Sequence, residues 1–264
     1  MTEQEIQHFF DRQLGLWHDC AKRYADLAEA STKTLTLEGR EYSLMFNPAR
    51  IRSAAAKVTA GKVERPCFLC RNNRPAEQIN IRIEPNGSGN SYLLSVNPFP
   101  ILPNHFTIIS DTHCRQTITE LRLRDMAYMA RLLEGDLVFF NGACSGASAP
   151  DHFHFQAVPV NAVPLTQWKE EVQNSLGVQH GEANDVKIDY SRSDNCNILC
   201  WKSPEGLRWW VVNRRRHRPW QYEAETDEKV LISPAALEFA GVVPLARKED
   251  FEKMDANLLR DIYL

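Results

Sequence analysis

The chain has 264 residues, 43% of them hydrophobic and 25% charged, with a formal net charge of -3. That length and composition fit a soluble globular protein with a sizeable core, and the near-neutral balance offers nucleic acid no overall basic field. No stretch approaches the roughly 18 apolar residues of a membrane span, and Glu3 and Glu5 near the start argue against a signal or transit peptide. Seven cysteines, mostly scattered singly, point to a reducing cytoplasm.

Thr2 and Glu5 form a capping box, and Ile6, Phe9, Phe10, Leu14, Trp17, Ala21, Tyr24 and Leu27 recur at helical spacing. This predicts one long amphipathic helix over residues 1–30, laid on a sheet. Residues 34–47 read as a hairpin turning at Glu38-Gly39. Just after it, Arg50 and Arg52 flank an apolar residue and are placed either to clamp a phosphate or to sit in solvent. Cys67-Phe68-Leu69-Cys70 lies between Pro66 and Arg71-Asn72-Asn73-Arg74-Pro75, a loop setting that favours half a metal site over a redox pair.

Residues 79–83 and 91–96 read as paired strands, and a proline-punctuated loop leads to another strand at 105–110. Thr117 and Glu120 predict the cap of a second helix with Leu121, Met126, Met129, Ala130 and Leu133 inward, stopped at Gly135. Further on, 166–176 looks helical, 197–202 and 207–213 read as strands about a turn, and Arg214-Arg215-Arg216-His217-Arg218 follows the second of them. A helix beginning at Ser233-Pro234, a short strand at 239–245 and a final helix complete the chain.

The chemistry concentrates between 141 and 159. Asn141-Gly142-Ala143-Cys144-Ser145-Gly146-Ala147-Ser148 is a run of small residues suited to bringing backbone N–H groups close to an anion. Asp151-His152-Phe153-His154-Phe155-Gln156-Ala157 then alternates like a half-buried strand, with His152, His154 and Gln156 on one face and the apolar residues on the other. Same-face neighbours lie about 6.6 Å apart. The strand's histidines and His113 are possible further ligands beside Cys67 and Cys70. A neutral imidazole at His154, beside an anion-binding loop, is a competent nucleophile toward phosphorus, and Gln156 can donate to a phosphoryl oxygen.

Gly146-x-Ser148 followed by His152-x-His154-x-Gln156 resembles the nucleotidyltransferase branch of the histidine triad (HIT-like) superfamily, which includes galactose-1-phosphate uridylyltransferases, diadenosine tetraphosphate phosphorylases and GDP-sugar phosphorylases. Residues 97–106, 111–121, 47–50 with 65–66, and 237–241 resemble further stretches of that branch, so that the likeness spans about residues 42 to 260.

The resemblance implies an α+β fold: one HIT-like domain over residues 1–264, with a helix at 1–30, a core of mainly antiparallel sheet and packed helices at 34–160, and a C-terminal α/β lobe at 161–264 extending the sheet. It implies nucleotidyl transfer from a nucleoside-diphosphate sugar or dinucleoside polyphosphate through a covalent nucleotidyl-histidine on His154, assisted by Gln156, to phosphate or a sugar 1-phosphate. Arg50, Arg52, Asn141, Gly146, Ser148, Arg214 and Arg216 become candidate substrate contacts. Cys67, Cys70, His113 and His152 become ligands of a structural Zn2+. A homodimer is possible, and no nucleic-acid or membrane partner is expected. The alternatives are a HIT-type nucleotide hydrolase and a zinc-stabilised nucleotide-binding protein without catalysis.

Overall fold

The alternating stretch at 153–158 lies inside a large antiparallel sheet, and its two faces divide the molecule. In the computed structural model, which describes residues 1–51 and 65–263 without the Arg50 side chain, the strands are β1 (Thr32–Leu37), β2 (Arg40–Phe46), β3 (Ile81–Ile83), β4 (Tyr92–Val96), β5 (Phe106–Ser110), β6 (Asp136–Asn141), β7 (His154–Pro159), β8 (Gln179–His180), β9 (Cys196–Ser203), β10 (Gly206–Asn213) and β11 (Val242–Leu245). Eight of them form the main sheet in the order β3-β4-β5-β7-β6-β9-β10-β8. Every neighbouring pair is antiparallel. The architecture is mixed α+β. No helix among the described residues is long and apolar enough to cross a membrane.

Phe153, Phe155 and Ala157 point to the face that also carries Val138, Phe140 and Ile198. Helices α1 (Glu3–Leu16), α2 (His18–Ala28) and α3 (Glu120–Leu132) cover it with Phe9, Phe10, Tyr24, Leu123, Met126 and Met129. Phe140, Phe153 and Phe155 pack with ring centroids 4.8 to 6.4 Å apart. Each buried ring contributes about 1.5–3 kcal/mol. Leu137, Phe139, Val158, Leu199 and Trp201 point the other way, onto a second core shared with Tyr42, Leu44, Leu237, Val243 and Leu245. Period-two alternation therefore sends His154, Gln156 and Asn141 to this second face.

Several elements differ from the sequence expectation. The N-terminal helix breaks at Trp17, whose φ of -127° and ψ of 88° leave the helical region. Gly15, a poor helix former, stands just before the break. The break re-phases the stripe, so that Cys20 rather than Ala21 is buried. Helix α3 is capped by Thr119, which accepts from Arg122 N–H, and not by Thr117; Leu123 faces inward while Leu121 is exposed.

The hairpin at 32–46 turns through Glu38 and Gly39, both at positive φ as a two-residue hairpin turn requires. It does not join the main sheet, and nor does the C-terminal strand. β11 runs parallel to β2, forming a separate three-stranded sheet, β1-β2-β11.

Asp136, at the start of β6, is only 7% exposed. Burial first, and then the neighbouring Glu3 charge, raise its carboxyl to about 7. Folded protein therefore keeps this proton to a higher pH than the unfolded chain, and the stability it contributes is full below about pH 4 and lost as pH rises through about 7. Asp136→Asn is expected to leave the melting temperature nearly unchanged at about pH 4 and to raise stability by about 2–4 kcal/mol at about pH 8. Equal shifts at both pH values would contradict this assignment.

Candidate active site and metal centre

The cysteine pair sits in a turn shaped by Cys70 N–H donating to the Cys67 carbonyl at 3.2 Å and by Asn73 Nδ2 donating to the same carbonyl at 2.9 Å. His113 follows β5, and His152 precedes β7. The four residues converge, with their ligand atoms all within 4.8 Å of one another. His152 Nδ1 is 3.2 Å from Cys67 Sγ, 3.6 Å from Cys70 Sγ and 3.3 Å from His113 Nδ1, and Cys70 Sγ is 3.2 Å from His113 Nδ1. Tetrahedral zinc with S and N ligands requires edges of about 3.3–3.8 Å. The other nitrogen of His152, Nε2, lies 2.8 Å from the Ser110 carbonyl, so Nε2 carries the proton and donates to it. That bond leaves the Nδ1 lone pair facing the cluster, as a metal ligand needs. The donor set and its geometry fit a structural metal, and the cluster could hold one.

His154 is arranged differently. Its Nδ1 lies 2.9 Å from the His152 carbonyl, so Nδ1 carries the proton and Nε2 is bare. The residue is 2% exposed, and Nε2 is sealed from solvent with no hydrogen-bond partner among the described residues. Burial pulls this imidazole down to about 4, so it is neutral. A buried, unpartnered polar atom costs about 1–3 kcal/mol and calls for a reason beyond packing.

Beside it, Gln156 is oriented by a relay that sequence reading missed. Ile101 N–H donates to His105 Nδ1 at 3.2 Å, so His105 Nε2 carries the proton and donates to Gln156 Oε1 at 3.0 Å. Asn97 Nδ2 adds a weaker bond to the same oxygen at 3.4 Å. The carboxamide oxygen of Gln156 is thus occupied, and its NH2 group is left to donate elsewhere. On β6, Asn141 repeats the pattern: Oδ1 accepts from Asn197 Nδ2 at 2.8 Å and from Ala236 N–H at 3.0 Å. No described residue accepts from the Asn141 NH2 group.

The small-residue loop joins these two strands. Cys144 N–H and Ser145 Oγ donate to the Asp194 carbonyl, Asn197 Nδ2 to the Ser145 carbonyl, and His217 Nδ1 to the Cys144 carbonyl. Gly146 has φ +93°, and a Cβ there would lie 2.5 Å from Ala235 Cβ, so only glycine fits. After these anchors, none of the described residues accepts a hydrogen bond from the backbone N–H of Gly146, Ala147, Ser148 or Ala149. A run of N–H groups left over among the described residues, beside a positive-φ glycine, could receive an anion. The Ser148 side chain is exposed. Arg65 Nη2 donates to the Ser148 carbonyl at 3.2 Å and stands 3.8 Å from Asp151, bringing a cation to the loop.

The arginines divide. Arg52 lies outside the described residues, and of Arg50 only the backbone, closing a short turn at Pro48–Arg50, is described. Arg214 corrects the sequence expectation. It is buried, Nη1 donates to Asn197 Oδ1 and the Pro234 carbonyl, and Nη2 donates to the carbonyls of Arg216 and His217. With four of its five N–H groups committed and its plane on the Phe239 ring, it braces the chain rather than facing a substrate. Burial lowers its pKa to about 10. Arg216 is exposed. A cavity of about 380 Å³ lined by Thr36, Glu41, Asn161 and Trp168 lies against the small sheet and takes in none of the expected site residues.

Solved structures share the fold. The crystal structure of yeast Ap4A phosphorylase Apa2 in complex with Ap4A matches with TM-score 0.59 and 18% identity over 99% of this chain and 94% of that one. The same protein in complex with AMP matches with TM-score 0.56 and 17% identity over 94% of each chain. No curated protein sequence matches. Residues 9–159, which hold α2, the Cys67-Cys70-His113-His152 cluster, the small-residue loop and β7, match the family described as domain of unknown function DUF4922, and the chain belongs to that family.

Proposed function

We propose that this protein is a nucleotidyltransferase of the phosphorylase type. It cleaves a dinucleoside polyphosphate or nucleoside-diphosphate sugar through a covalent nucleotide on His154 and passes that nucleotide to phosphate or a sugar 1-phosphate. One observation carries the reading: the bare, buried Nε2 of His154 shares a sheet face with Asn141 and Gln156, and among the described residues neither it, nor their NH2 groups, nor the N–H groups of the neighbouring loop have a hydrogen-bond partner. The likeness in fold to a protein crystallised with AMP and with Ap4A supports a nucleotide with a second phosphate-bearing half as the substrate class.

In the first step the Nε2 lone pair attacks the α-phosphorus, a P–N bond forms, and the P–O bond to the distal phosphate breaks with its electron pair leaving on that phosphate. The ring gains positive charge, which the Nδ1–H bond to the His152 carbonyl steadies. Gln156 Nε2, Asn141 Nδ2 and the N–H groups of Gly146 to Ala149 donate to the phosphoryl oxygens as they gain charge. In the second step an oxygen of the acceptor phosphate attacks the same phosphorus, and the P–N electron pair returns to the imidazole. Because Nε2 is sealed, the cover over the ring has to move as substrate enters.

Cys67, Cys70, His113 and His152 would hold a structural Zn2+, which when bound supplies a rigid clamp between the cysteine turn, the segment after β5 and the start of β7. In this reading residues 1–264 act as one domain in the cytoplasm, with the segment after 161 walling the site. The test is to incubate the protein with Ap4A and with nucleotide sugars, with and without inorganic phosphate. Multiple turnovers are expected only with phosphate, which emerges as nucleoside diphosphate. Equal turnover without it would replace transfer by hydrolysis, and binding without cleavage would leave a nucleotide-binding protein.

A further inference from the structure

We infer that Gln116 is a positioning residue for the nucleophile. This rests on His154 being that nucleophile, and the geometry behind it is as follows. The ladder between β6 and β7 runs from Asp136↔Pro159 to Phe139↔Gln156 and stops there. On its other side β7 stays paired to β5 as far as Ile109↔His154. His154 therefore has one backbone edge toward β6 with no strand to meet it. Gln116, wholly buried in the segment before α3, fills that gap with its carboxamide. Its Oε1 accepts from His154 N–H at 2.8 Å, and its Nε2 donates to the His154 carbonyl at 2.9 Å and to the Asn141 carbonyl at 3.0 Å.

One side chain thus ties together the two strands that carry His154 and Asn141 while keeping them apart. The separation lets the small-residue loop fold across the end of the strands. The same segment is fastened twice more to the stretch that leads into β7, by Phe153 N–H donating to the Cys114 carbonyl at 2.7 Å and by Gln116 N–H donating to the Pro150 carbonyl at 3.2 Å. Gln116 holds the backbone of residue 154, and the His152 carbonyl holds its ring at Nδ1. Between them these bonds set the direction of Nε2 without a hydrogen bond to it from any described residue. Glutamine suits the place because it offers an acceptor and two donors from one planar group, matching the N–H and the two carbonyls it meets.

The test uses full-length Gln116→Glu, which keeps the shape but loses the two donors, and Gln116→Asn, which keeps the amide but is one methylene too short to reach both strands. Single-turnover formation of the covalent nucleotide is expected to slow by about 10²-fold, as a displaced reacting atom does. The dissociation constant for AMP should move less than about 3-fold, since Gln116 meets only backbone groups of residues 141 and 154 and no side chain proposed to donate to the phosphate. A second readout needs no turnover. The His154 Nδ1–H resonance is expected to exchange slowly in the parent, where the proton is buried on the His152 carbonyl, and to broaden or vanish in the variants. An unchanged adduct rate with an unchanged His154 resonance overturns the inference, and so does a parallel loss of AMP affinity and rate, which would make Gln116 a binding or merely structural residue. If the parent forms no adduct, the transferase reading fails by itself, and the resonance alone decides whether Gln116 positions the ring.

Discussion

His154→Gly is expected to abolish the covalent nucleotide and to lower turnover by at least about 10⁴-fold, the scale on which removal of an attacking group acts. Metal content should stay at the parent level. The two histidines are separated by one residue but serve different partners. His152 turns Nδ1 toward the cysteines and His113. His154 turns Nδ1 toward a backbone carbonyl and keeps Nε2 empty-handed. Glycine at 154 removes the attacking ring and leaves the ligand set intact. The variant loses some packing, but it also loses a buried nitrogen without a partner, so the two effects offset in part. Loss of metal from this variant would show that the roles of the two histidines are exchanged. A surviving adduct would place the nucleophile elsewhere.

The second large effect is expected at the metal centre. Cys67→Ser, His152→Asn and treatment of the native protein with a strong chelator should each strip the metal and destabilise the fold by several kcal/mol, read as a lower melting temperature. The cluster joins three segments far apart in sequence: the cysteine turn, the segment after β5 and the entry to β7. No regular ladder runs between the cysteine turn and the main sheet among the described residues. Removing one ligand lets the cysteine turn separate from β7. The entry to β7 then loosens, and adduct formation falls with it. Elemental analysis should find close to one metal per chain, lost in both variants. A native protein whose melting temperature does not respond to chelation would contradict a structural ion at these four residues.

Much of the candidate site's arrangement, though not its role, is legible in the sequence because its signals are local. The alternation of 153–158 announces which residues share a face, and the cysteine pair in a loop announces half a ligand set. The run of small residues announces a close backbone approach. What stayed hidden depends on contacts between distant segments. Gln116 is one polar residue in a loop, and nothing near it tells that its amide bridges a strand 25 residues downstream and another 38 downstream. His105 reads as the first residue of a strand, yet it turns Gln156. Arg214 belongs to a cluster of similar arginines, and only strand parity together with the carbonyls around it reveals that it is the buried one.

The fold divides in the same way. Strand and turn positions at 32–46 and 196–213 follow from residue type. The choice of sheet for β2 and β11, joined across about two hundred residues, carries no local mark. The cap of α3 falls at Thr119 rather than Thr117; both precede Glu120 in sequence, and only the hydrogen bond from Arg122 N–H distinguishes them.

The claim at the centre is a phosphorus–nitrogen bond at one imidazole. Native protein mixed with Ap4A or a nucleotide sugar in the absence of acceptor, quenched above neutral pH and digested, should yield a peptide spanning residue 154 that carries one nucleoside monophosphate on His154, and the label should disappear when phosphate is added before quenching. A fully consumed substrate with no such peptide, or a nucleotide mapped to any other residue, would contradict the account.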